Sequence, residues 1–131
     1  MRELRSASGP SEAMLEDLVA RYFDGLVAGG RSATTMRRYR QLWMDWLGPM
    51  VGQLPAGRVT TARLERVLQA MARSGQSASS VHQAAIVLSG VFHGAHDAGT
   101  VNANPMIGLT LPNGDTLQRP RRRGQESGPD R

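Results

Sequence analysis

Arginines and short hydroxyl side chains are the residues in this sequence best placed to do chemistry. Arg31, Ser32, Thr34, Thr35, Arg37, Arg38 and Arg40 fall within ten positions, Gln41 follows, and no acid interrupts them. A second polar stretch contains Ser77, Ser79, Ser80, His82 and Gln83. Each stretch opens a segment with helical periodicity. A helix start carries unpaired backbone N–H groups, and guanidinium groups beside it add charge suited to phosphate. Short hydroxyl side chains let such an end approach a sugar–phosphate backbone closely, and Gln, His and Arg can reach base edges in a major groove. Taken singly, these residues have plainer readings. Ser and Thr are ordinary N-caps, arginines are often a solvated face, and His82 on a polar face is often merely exposed.

Other chemistries are poorly supplied. All sixteen basic residues are arginine, so mechanisms needing a lysine base or Schiff base are excluded. No cysteine is present, which excludes disulfides and thiolate metal sites. His93 and His96 have the spacing of a metal pair but lack a third ligand nearby, so no metal is expected. Paired carboxylates, a nucleophile–base pair and a phosphate-cradling glycine loop are all missing; no catalytic residue and no cofactor is expected. Asn113-Gly114-Asp115 reads as a turn.

Net charge is +5 over 131 residues and is unevenly spread. Residues 1–30 hold three arginines against five acids, whereas residues 31–60 hold five against one. A basic second quarter and a basic C-terminal tail suit a polyanionic partner. No run of 18 apolar residues could span a bilayer, and MRELRSASGP has no apolar signal region. The expectation is an intracellular, cytoplasmic protein with neither a membrane nor a small molecule as partner.

Four helical segments position these residues. The first follows Pro10-Ser11, buries Leu15, Leu18, Val19, Tyr22, Phe23 and Leu26, and ends at Gly29-Gly30. A second opens at Ser32–Thr35, with Met36, Tyr39, Leu42, Trp43, Trp46 and Leu47 inward, and should stop at Gly48-Pro49. The third runs from Thr60-Thr61 to Gly75 around Leu64, Val67, Leu68 and Met71. A fourth starts within Ser77–Ser80 and ends at Gly99, burying Val81, Ala84, Ala85, Leu88, Val91, Phe92 and Ala95. A strand is conceivable only at Val101 and Ile107–Leu111. The short loops joining the first to the second helix and the third to the fourth predict antiparallel neighbours and an all-α bundle. Residues 1–10 are expected to be flexible, 11–112 to form the helical domain, and 113–131 to be a disordered basic tail bearing Arg119-Pro120-Arg121-Arg122-Arg123.

The order of signals resembles the N-terminal core-binding, SAM-like domain of tyrosine recombinases of the phage-integrase family, from about Leu15 to Pro112. Thr35-x-x-x-Tyr39 opens the second helix and Trp46-Leu47-Gly48 ends it. Val59-Thr60-Thr61-Ala62-Arg63-Leu64 is similar to the family's start of the third helix, and Gly75 through Val81 to that of the fourth. Val91 through Val101 is similar to the fourth helix end. Asn104-Pro105 matches a family turn, and Leu111-Pro112 the exit into an interdomain linker.

The resemblance implies a compact four-helix orthogonal or antiparallel bundle that clamps duplex DNA while a separate domain does the chemistry. It implies that the second and fourth helices face DNA, through Ser32, Thr34, Thr35 and Arg38 and through Ser77, Ser79, Ser80, His82 and Gln83. With the neighbours Arg31, Arg37 and Gln41, these form the expected DNA-binding set. The implied protein partners are a recombinase catalytic domain or other recombinase subunits, and the implied setting is prokaryotic or phage-encoded. The family's lysine, its H-x-x-R-H motif and its nucleophilic tyrosine have no counterpart here, so this chain is expected to be non-catalytic. The alternative is a helical protein-interaction module that docks a partner without touching DNA.

Overall fold

The computed structural model describes residues 13–116. Helix α1 spans Leu15–Ala28 and buries Leu15, Leu18, Val19 and Phe23. No side chain caps its start. Instead the Leu15 N–H donates to the Leu54 carbonyl at 3.0 Å, and the Ala56 N–H donates to the Ala13 carbonyl at 2.7 Å. A distant loop therefore anchors the helix entrance; Pro10 and Ser11, expected to begin it, lie outside the described residues. Gly29 and Gly30 end the helix as expected.

Helix α2, Ala33–Leu42, is capped by Ser32, whose hydroxyl accepts from the Thr35 N–H at 3.1 Å. The expected stop at Gly48-Pro49 does not occur. The chain continues as a π-helical segment over Trp43–Gly52 with Pro49 inside it. In an α-helix, Pro49 would lack a needed donor and its ring would strike the carbonyl four residues back. Winding the backbone wider accommodates that ring. Gly48 makes the wider path possible: a Cβ there would sit 2.9 Å from the Trp43 carbonyl oxygen and 3.1 Å from its indole Nε1. The segment turns Leu47 and Val51 into the core, while Trp43 and Trp46 pack against the core half-buried.

A short 3₁₀ turn, Ala56–Arg58, leads to helix α3, Thr61–Arg73, capped by Thr60 as expected. Gly75, at φ +92°, reverses the chain into helix α4, Ala78–Asp97, capped by Ser77. The expected end of α4 at Gly99 also holds. Helix α4 packs against α1, α2 and α3 and is the centre of the core. Its small residues set the approach of its neighbours. A Cβ at Gly90 would overlap the Tyr22 hydroxyl of α1, so glycine is what admits that ring.

Residues 101–111 form turns, not the strand considered possible, yet they complete the core with Val101, Met106, Leu109 and Leu111. Side chains of α3 hold them: the Thr61 hydroxyl donates to the Pro105 carbonyl, and Glu65 Oε2 accepts from the Thr110 N–H at 2.8 Å. Residues 113–116, which composition places in the tail, continue the folded part. Asn113 Oδ1 accepts from the Asp115 N–H at 3.0 Å, and the Asp115 carbonyl accepts from the Leu111 N–H at 2.7 Å. The remainder of the expected tail, with its arginine run, lies outside the described residues. The described chain is all-α, and none of its helices is long and apolar enough to cross a membrane.

Candidate nucleic-acid interface

The two polar helix starts, far apart in sequence, meet in space. Arg38, on the second turn of α2, donates from Nε to Gln83 Oε1 of α4 at 3.1 Å and from its terminal nitrogen to the Ser80 hydroxyl. Ser77 completes the cluster. Its hydroxyl accepts from the Ser80 N–H at 3.1 Å and donates to the Ser80 hydroxyl at 3.1 Å. On α2, Ser32 caps the helix and bonds Thr35 through both hydroxyls at 3.0 Å. Neither helix has an acid in its first turn, so no carboxylate there competes for the exposed N–H groups.

This arrangement divides the expected contact residues. Ser32, Thr34, Ser77 and Ser79 are exposed at the two starts. Thr35 and Gln83 are half-buried. Ser80 is a correction. It is only 8% exposed and its oxygen is already occupied, so it supports Arg38 and cannot reach a backbone phosphate. Arg38 is half-buried; two of its five N–H donors are used internally and three remain for a ligand. Its guanidinium is thus held in one orientation before any partner arrives, which lowers the entropy lost on binding.

Arg31, Arg37 and Gln41 do not join that cluster. They are exposed along a groove on the α1 side of α2, together with Val27, Arg40 and Met44. Arg31 lies near enough to act on Tyr22. Burial pushes the Tyr22 phenol above its ordinary 10.0, Tyr39 raises it further, and the Arg31 charge opposes them. His82 stands on a third side, over a cavity walled by Ala72, Leu111 and Thr116. Among the described residues the only close contact between a basic and an acidic side chain joins His93 Nε2 to Asp97 at 3.3 Å, so the arginines of α2 have no carboxylate partner there.

Sequence reasoning passed over two features of this surface. Arg40, part of the acid-free run but outside the expected DNA-binding set, lines the α1-side groove beside Arg37. The support of Arg38 by Ser80 and Gln83 had no local signal, because 42 and 45 residues separate the partners. Set against known proteins, the chain matches no family model, no curated protein and no solved structure.

Proposed function

We propose that this chain is a non-catalytic DNA-binding domain of the tyrosine-recombinase core-binding type, which clamps duplex DNA through the starts of α2 and α4 during site-specific recombination. The observation that carries the reading is the Arg38 bridge. It ties two helices whose first turns hold no acid and leaves three guanidinium N–H donors free of those bonds. Ser32, Thr34, Ser77 and Ser79 add exposed hydroxyls at the two helix starts, and Arg37 and Gln41 add exposed polar groups on the α1 side of α2. Phosphate contacts then supply most of the affinity. Base reading falls to Arg38 and Gln83, with His82 at the margin.

Titration of a labelled duplex by fluorescence anisotropy tests this. Affinity should lie in the ~10⁻⁴–10⁻⁶ M range typical of binding carried by phosphate contacts. If about four to six phosphates are neutralised, log K should fall with log salt at a slope of roughly −4 to −5. Replacing Arg37 and Arg38 together by alanine should weaken binding while leaving the helical circular dichroism intact. Undetectable binding at low salt would remove the proposal and favour the protein-interaction reading.

A further inference from the structure

Apart from Arg37 and Gln41, the residues of the α1-side groove are not used in the proposed DNA binding. It runs between α1 and the α2–π segment, and its two halves share Arg40 and Met44. One half is lined by Glu16 and Asp24, the other by Arg31 and Arg37. Asp45 lies at the basic half and is the exception to this division. Where the halves meet, Met44 lies beside Arg40, and Val27 adds apolar surface to the basic half. Met44 is 71% exposed and Val27 49%, the first being the most exposed large apolar residue among those described.

A half lined by Glu16 and Asp24 and a half lined by Arg31 and Arg37 are complementary in charge under a two-fold axis where they meet at Met44. Turning a second copy by half a revolution about Met44 lays its acidic half on the basic half of the first, and the reverse. Met44 and Val27 of both copies are then removed from water together. We propose that this groove is a homodimer interface: two copies pair face to face through α1 and the α2–π segment, with Met44 on or beside the two-fold axis. The inference goes beyond DNA binding. It assigns Arg31 and Arg37 a pairing role on the α1 side, while Arg38, Ser77 and Ser79 stay open on the α4 side.

An interface with few large apolar groups and exposed charge pairs should be weak and sensitive to salt. Sedimentation of the full chain from about 10 µM to about 1 mM should show the mass rising from 14.2 kDa toward twice that value, with a dissociation constant on the order of 10⁻⁴ M. Met44→Asp should hold the protein at the monomer mass without changing its circular dichroism or its affinity for duplex DNA. Asp24→Arg and Arg37→Asp should each weaken dimerisation at least roughly tenfold, and the two together in one chain should restore it. A constant monomer mass in the wild type would overturn the proposal. So would a dimer that survives Met44→Asp, or a double variant no better than the singles. DNA binding by the monomer is measured separately, so failure of one proposal leaves the other readable.

Discussion

At the scale of single residues the account depends on Arg38. Its guanidinium satisfies the buried Ser80 hydroxyl and the Gln83 amide oxygen, so it contributes to stability as well as to the surface. Arg38→Ala should destabilise the fold by about 1–3 kcal/mol in urea titrations, because Ser80 is left buried with one partner fewer. Arg38→Lys keeps the charge but has no planar fork to bridge two acceptors. It should recover the salt dependence of DNA binding and only part of the stability. Tyr22 gives a second test. Its phenol titrates above 10.0 in the folded state because burial disfavours the anion, so the folded state holds the proton more tightly than the unfolded chain. That stability is fully present below pH 10.0, the ordinary value, and is lost as pH rises through the folded-state value. Tyr22→Phe should flatten the fall in melting temperature measured above pH 10.0.

At the scale of elements, the sequence was legible wherever a local rule decides the outcome. Ser32, Thr60 and Ser77 cap their helices because a short hydroxyl accepts from the N–H three residues on, and that depends on nothing distant. Ser32→Ala or Ser77→Ala should each lower stability by about 1 kcal/mol in thermal melts. Ser77→Ala should show the larger loss, since Ser77 also holds Ser80. Illegible elements were those settled by packing. Gly48-Pro49 is a stop signal only for α-helical winding, and the Trp43 indole lying over Gly48 and Gly52 sustains a wider coil instead. Gly48→Ala should destabilise by about 1–3 kcal/mol, because the clash falls on the Trp43 carbonyl, a backbone atom that cannot swing away. Residues 101–111 carry no helical period, yet Thr61 and Glu65 of α3 fasten them to the core at Pro105 and Thr110.

At the scale of the whole molecule, the fold class could be read from periodicity, whereas the surface could not. Residue types marked both helix starts as candidates, but twelve candidates of similar chemistry separate into three sides once the helices pack. Arg38 and Gln83 face each other, Arg31, Arg37 and Gln41 share a groove with Met44, and His82 stands apart. Helix packing determines this division, and sequence spacing carries only half of it. The central claim is that the starts of α2 and α4 form one DNA-facing surface. It is tested most directly by titrating isotopically labelled protein with a short duplex and following amide and side-chain resonances. Shifts concentrated at Thr34, Arg38, Ser77, Ser79 and Gln83 together, saturating at one concentration, are the predicted result. Shifts confined to α3, or to the Met44 groove with the α4 start unmoved, would contradict it.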